Sequence, residues 1–526
     1  MKRNAIILFI LWALLCGCET PGIYDNYAPI RYTTVQLRQG IVLQDRNTDE
    51  LSLLQVTAKN VAKRVLFTPQ EGEYVDSFFS GHDGDSSGRL FVLTYVGDVR
   101  RSDVTPALHV IDVQTGNSAT ISLSSAFSKY RFSPDGQALI LYHDDSENSS
   151  RSLSNPNEIA IVYLGSIEVQ LTQGILKSTG TVLKTMSVDL KGSTIEGIHF
   201  LDSVVIGSNE KNLVAFATVG AIHLVDLYNA DAPSVAVSLK NDTDSRRIVA
   251  QQFELIKGTM THGPRIFVQA DNASELYDIE LNPRDNAAGF YATTSLLDGG
   301  TTPSDFAVLQ DAGELFVVSA SSQSSVLNIF EAATARITTV NLTSRVHTIE
   351  SRTVNGRTEL VMYGAGSNRI YFLNETDIGR EMGDNLETLI LQENIDGAQL
   401  LDNDRMLIYP GDDGLVLVDM SSRTVTHLAG RSSEDWMNNQ LWNNTLFLTG
   451  YNRVDFLDVR QGTTGQVALD EAILQFHIFP AQRVGIAVHD TPTGRATMFP
   501  LASPNRANCR VFDGFLVSGI LNRGEE

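Results

Sequence analysis

Tyr130-Arg131-Phe132-Ser133-Pro134-Asp135-Gly136-Gln137-Ala138-Leu139-Ile140-Leu141-Tyr142-His143-Asp144 decides how this chain is read. Pro134 presets φ for a tight turn and Gly136 tolerates positive φ, so the peptide runs one strand directly into the next. The apolar run after the turn is five residues long, the length of a strand.

Runs of the same kind recur along the chain. They begin at Leu90 (LFVLT), Leu139 (LILYH), Leu213 (LVAFA), Ile266 (IFVQA), Leu315 (LFVVS), Leu360 (LVMYG), Met406 (MLIYP), Leu446 (LFLTG) and Val484 (VGIAV), separated by 38 to 74 residues. A period of about 40 to 50 residues is the size of a four-stranded propeller blade. A further strand follows most of them and ends in a short acidic or amide residue before a turn: Asp112, Asp226, Asp419 and Asp458 show it best, with Asp278, Glu331 and Asn374 in weaker copies. Such a side chain can bond to the backbone of the turn that starts the next strand. The fold expected is therefore all-β, a β-propeller of four-stranded blades. Nine candidate strands exceed the usual four to eight blades. Eight is the expected number within a range of seven to nine, one strand being misassigned. The 74-residue gap after Leu139 implies an extra element around residues 174 to 195, and strands from about 30 to 68 are expected beside the C-terminal strands to close the ring.

The turn at 132–136 resembles the F-S-P-D-G signature of WD40-like propeller repeats of bacterial periplasmic proteins. Phe479-Pro480-Ala481-Gln482-Arg483 is a degenerate copy and Phe67-Thr68-Pro69 a remnant. The resemblance implies the repeat architecture and no functional residue.

Composition narrows the function. Of 526 residues 42% are hydrophobic and 19% charged, which supports a sizeable core. Asp and Glu total 62 against 40 Lys and Arg, and the net charge of -22 argues against a nucleic-acid partner. At the N-terminus, Lys2 and Arg3 precede the apolar run 5–15 and then Cys16-Gly17-Cys18. The run is too short for a permanent span of about 20 residues and ends in small residues, as a cleavable signal does. Leu15-Cys16-Gly17-Cys18 resembles the bacterial lipobox. The resemblance implies lipidation of Cys18 after cleavage behind Gly17, so 1–17 is the signal peptide; 18–29, with Pro21, Gly22 and Pro29, reads as a tether, and the repeat of strands makes 30–526 a single propeller domain. Cleavage behind Gly17 leaves a charge of -24 and only Cys18 and Cys509, so Cys509 is expected unpaired. Glu19 rather than Asp after the cysteine leans toward the outer membrane. The body then faces the periplasm or the cell surface, held to the membrane through its lipid.

Four constellations could carry chemistry. Gly84-Asp85-Ser86-Ser87-Gly88 matches G-x-S-x-G, but a strand follows it where a nucleophile elbow needs a helix. Read from Asp83, the stretch looks like the start of a calcium loop, yet Phe91 and Thr94 stand where the ninth and twelfth ligands belong. A solvated turn is the simpler reading, and no other cofactor is expected. The ten histidines have no metal-ligand spacing, and His109 with His223 at matching repeat positions points to blade packing. Asp144-Asp145, Asp402 with Asp404, and Asp412-Asp413 read as hairpin tips.

The function expected is thus a non-enzymatic cell-envelope scaffold that binds another envelope protein through loops such as 144–157 or 411–414. The lipoprotein propeller of the bacterial outer-membrane β-barrel assembly machine is an architectural analogy only. The alternative is a propeller enzyme or ligand binder, lactonase- or glycosidase-like, that uses the central axial pocket.

Overall fold

The computed structural model describes residues 34–523 except 46–48, 82–87, 99–100, 102, 144–154, 165–166, 171–174, 179–182, 189–193, 230, 241–245, 259–262, 285–288, 312, 379–385, 411–413, 429–438, 461–462, 492 and 516–521. Ten antiparallel sheets follow one another, nine of four strands and the last of five. They span 34–67, 73–122, 129–187, 195–238, 249–298, 305–341, 348–395, 397–428, 439–468 and 473–523, here blades 1 to 10. No helix among the described residues is long and apolar enough to cross a membrane.

The ring has ten blades, not eight. Each of the nine candidate strands is the second strand of its own blade, and none is misassigned. The tenth is Gly40–Asp45, whose apolar centre is only Ile41-Val42-Leu43 and too short to stand out. The second strands are legible because they are sandwiched. In Ala138–Tyr142, Leu139 and Leu141 pack on blade 2, while Ala138 and Ile140 pack on blade 4. Both faces are dry, so alternation disappears and an unbroken apolar run replaces it.

Ten hydrophobic clusters fill the ten seams between neighbouring blades, and the last closes the circle. Ile41, Leu43 and Leu54 of blade 1 pack against Phe479, Ile486, Met498 and Phe512 of blade 10. Strands 34–67 therefore do lie beside the C-terminal strands, but face to face as a separate sheet and not within a shared blade. The extra element before Leu213 is the hairpin Ile167–Gln170 with Ile175–Ser178, inserted between the third and fourth strands of blade 3, earlier than expected.

The turn at 132–136 joins the first two strands of blade 3. Gly136 has φ of +66°, its N–H donates to Ser133 O at 2.8 Å, and Ala138 N–H donates to Ser133 Oγ at 2.8 Å. The copy at 479–483 joins the same strands of blade 10, with Arg483 at positive φ. Phe67-Thr68-Pro69 is no remnant of it: Phe67 ends the fourth strand of blade 1, where the chain leaves for the next blade.

Candidate functional site

The first strand of each blade is innermost, and first strands of neighbouring blades approach one another. One long edge of such a strand is paired with the second strand, and its faces are pressed between neighbours. The other edge and its exposed side chains look onto the axis. That edge carries backbone N–H and C=O groups that need partners.

Side chains from the adjacent blade supply them. Gln440 of blade 9 donates its amide N–H to Phe476 O at 2.7 Å and accepts from Ile478 N–H at 2.9 Å in blade 10. Gln252 of blade 5 treats Phe306 of blade 6 in the same way, at 2.8 and 3.3 Å. Gln36 of blade 1 donates to Ile478 O and lies 3.2 Å from His477 Nδ1. A primary amide carries both a donor and an acceptor, so glutamine can stand in for a missing strand.

In blades 5 to 7 carboxylates take over this role. Glu254 accepts from Val308 N–H at 2.9 Å, and Asp305 accepts from Ile349 N–H at 2.6 Å. Glu350, on the next first strand, accepts from Tyr363 O–H at 2.7 Å. Burial raises the Glu254 carboxyl to about 7, and the neighbouring Asp305 charge adds to the rise. Burial likewise raises Asp305 and Glu350. Three acids on three consecutive first strands thus share one sector of the wall.

The sector from blade 2 to blade 5 is built differently. Phe79 and Tyr130 stack across the seam between blades 2 and 3, with ring centroids 3.5 Å apart and 10° between planes. His199 of blade 4 packs on Phe253 of blade 5 at 4.2 Å. Burial and the Arg131 charge hold His199 down at about 4, so its ring is neutral at pH 7. Arg131 itself is exposed on the first strand of blade 3.

The residues singled out in the sequence lie elsewhere. Cys18, all but Gly88 of the calcium and G-x-S-x-G stretch at 83–88, and the acidic pairs Asp144-Asp145 and Asp412-Asp413 fall outside the described residues. His109 and His223 are both third-strand residues next to a second-strand threonine. His109 Nε2 lies 3.0 Å from Thr94 Oγ1 and 2.9 Å from Glu73 Oε1, and His223 Nε2 lies 3.3 Å from Thr218 Oγ1. In blade 10 the arrangement is reversed, with second-strand His489 Nε2 2.8 Å from third-strand Thr497 Oγ1. These rings are buried inside blades, where no substrate reaches them. Asp112, Asp419 and Asp458 do bond to turn backbone N–H groups. Asp226 and Asp278 instead pair with Lys211 at 3.0 Å and Arg265 at 2.7 Å. Asp402 accepts from the N–H groups of Asp404 and Arg405. Among the described residues no group of three His, Cys, Asp or Glu could hold a metal ion. Sequence reasoning missed Gln36, Gln252, Gln440, Glu254, Asp305 and Glu350. Polar residues on the strand preceding each apolar run were the available signal.

No family model matches the chain, and no curated protein matches its sequence. Solved structures do. The dihydro-heme d1 dehydrogenase NirN in complex with DHE is 12% identical with a TM-score of 0.39, over 72% of this chain and 73% of that one. BamB from Moraxella catarrhalis is 13% identical with a TM-score of 0.33, over 73% and 95%. Apo AztD from Citrobacter koseri is 11% identical with a TM-score of 0.30, over 73% and 96%. At these values no ligand or partner follows from them, and the ten-bladed propeller rests on the seams and sheets of the chain itself.

Proposed function

We propose that this chain is a non-enzymatic cell-envelope lipoprotein whose propeller is a rigid platform for another envelope protein. The observation that carries the reading is the closed ring: each seam has its own hydrophobic cluster, so the loops at either end are displayed from a fixed frame. The leader ending in Leu15-Cys16-Gly17-Cys18 supplies the address, with lipid on Cys18 and residence in the outer membrane. The turn at Ser133–Gly136 supports a WD40-like repeat type. Segments 144–157 and 411–414, each lying in sequence between the second and third strands of a blade, are the contact loops of this reading. A mature charge of -24 favours a partner with a basic or mixed surface, and association weakens as salt shortens the Debye length below about 8 Å. Two experiments test this. Cys18→Ser should abolish palmitate labelling and leave an uncleaved precursor; unchanged labelling refutes the anchor. Cross-linking in intact envelopes should recover one reproducible protein partner, and its absence refutes the platform.

One observation favours a second reading, an axial enzyme. Glu254, at about 7 on the channel wall, has the proton affinity of a general acid at neutral pH. Turnover on lactone or glycoside panels, lost in Glu254→Gln, would establish it.

A further inference from the structure

We infer that the outer strand of blade 5, Phe290–Asp298, pairs antiparallel with the same strand of a second copy of this chain, joining two rings through one continuous sheet. The inference is independent of the platform reading.

The last strand of a blade has a neighbour on one side only, so alternate N–H and C=O groups along its outer edge stand open to another chain. This molecule protects most of those edges. Lys63 and Arg64, Lys184, Arg336, and Glu387 with Glu393 put charge on the outer strands of blades 1, 3, 6 and 7. Those of blades 2, 4, 8 and 9 are no longer than six residues. Blade 10 covers its own edge, since Asn522–Arg523 pairs with Phe512 and Asp513 as a fifth strand. Blade 5 is the exception. Its outer strand runs nine residues in unbroken register with Glu275–Pro283, has no proline and carries no charge before Asp298. Beyond that third strand its backbone makes no backbone hydrogen bond among the described residues.

The side chains leave both faces of this edge open. Phe290 is buried against blade 4 and Leu297 against blade 6, so alternation puts Leu296 on the first face and Tyr291 on the second. Leu296 is 57% exposed and Tyr291 43%, with Thr293, Thr294 and Ser295 exposed between them. A strand added at the edge covers both.

Charge selects the occupant. The chain carries -22, so two copies repel over most of their surfaces and approach at least cost along an uncharged edge. A basic partner finds no acid to pair with between 290 and 297. Full antiparallel overlap of two copies centres the two-fold axis on Thr294 and fixes every pair. Tyr291 then stands opposite Leu297 of the second copy, Ala292 opposite Leu296, Thr293 opposite Ser295, and Thr294 opposite its own equivalent. Asp298 meets Phe290, so no like charges face each other. Apolar and hydroxyl pairs of this kind stabilise a sheet. One strand pair is a small contact, so the dimer forms as concentration rises and the dilute chain is monomeric.

Hydrogen exchange of the full mature chain, in micelles kept in excess over protein, tests this at about 1 and about 100 µM. Alternate amides within 290–298 should exchange at least about 5-fold more slowly at the higher concentration, while those of 336–341 in blade 6 stay unchanged. Thr294→Lys sets two lysines opposite each other and should abolish the dependence, whereas Thr338→Lys, on the exposed outer strand of blade 6, should leave it intact. Equal exchange at both concentrations, or a dependence that survives Thr294→Lys, would overturn the pairing. Protection of 290–298 in envelopes but at no concentration of the purified chain would assign the edge to another protein and overturn it too. The wild-type comparison needs no variant, so misfolding cannot imitate it. Salt separates this reading from the platform: screening should strengthen contact between two acidic chains and weaken contact with a basic partner. A failed dilution series leaves the envelope cross-linking result standing, and the reverse also holds.

Discussion

Glu254 is where a single side chain most clearly senses its surroundings. Its carboxyl sits at about 7 in the folded ring against about 4.5 in an open chain, so the folded state binds the proton more tightly. Stability from this group is full below the open-chain value and is lost as pH rises through about 7. Glu254→Gln keeps an oxygen for Val308 N–H and removes the titration. The variant should match wild type near pH 4.5 and exceed it by about 1–2 kcal/mol at pH 8, a figure reduced for the group's partial exposure. Melting curves at both pH values check this, and a constant gap would contradict it. Arg352 is a second such residue. It donates to Glu359 at 2.5 Å and to the carbonyls of Asn403 and Met420, tying blade 7 to two turns of blade 8, while Arg423 donates to Glu359 from blade 8 and stacks over Phe372. Removing one partner of a buried pair costs about 3 kcal/mol or more, so Arg352→Ala should lower the denaturation midpoint well beyond any exposed arginine-to-alanine change. Neither role was legible in the sequence, because Val308 lies 54 positions from Glu254 and Met420 lies 68 from Arg352, and only the seams bring them together.

At the scale of the element, each strand of a blade has its own solvent. Second strands see none and read as apolar runs, which is why all nine that stood out were correct. First strands carry polar residues toward the axis and are masked by them. Gln440→Leu tests the idea that these residues act as a substitute strand. It frees Phe476 O and Ile478 N–H together, at a cost of about 2 kcal/mol for two unmet backbone groups. Hydrogen exchange should show Ile478 N–H losing protection while amides of blade 3 keep theirs. Unchanged protection would mean the edge is satisfied in another way.

Ten blades ask more of the whole molecule than eight, because a larger ring leaves a wider opening and more inner edge to satisfy. The belt of glutamine and acid side chains answers that need. Closure rests on packing between blades 10 and 1 without a shared sheet. Deleting 34–67 should therefore expose Phe479, Ile486 and Met498, and the product should bind a hydrophobic dye and aggregate where the intact chain stays monodisperse. A soluble, dye-silent deletion product would refute closure by packing. Cys509 is free, half-buried, and has its thiol pushed up to about 11 by burial. Reductant should accordingly leave the melting temperature of the monomeric chain unchanged, and a shift would reveal a disulfide.

The sequence by itself determined the all-β class, the blade period and the turn at 132–136, because these depend on contacts within a few residues or on a face dry along its whole length. It left the blade count to the tertiary structure. Blade 1 has only three apolar residues in its second strand, Ile41-Val42-Leu43, so nothing local sets that strand apart as the longer runs do the other nine. The axial wall was decided by the tertiary structure alone. Gln36 meets Ile478 across 442 positions, and Glu254 and Asp305 share one sector although 51 residues separate them. Local chemistry can mark such residues as polar, but only ring closure turns them toward one axis, where burial and mutual charge set what they do.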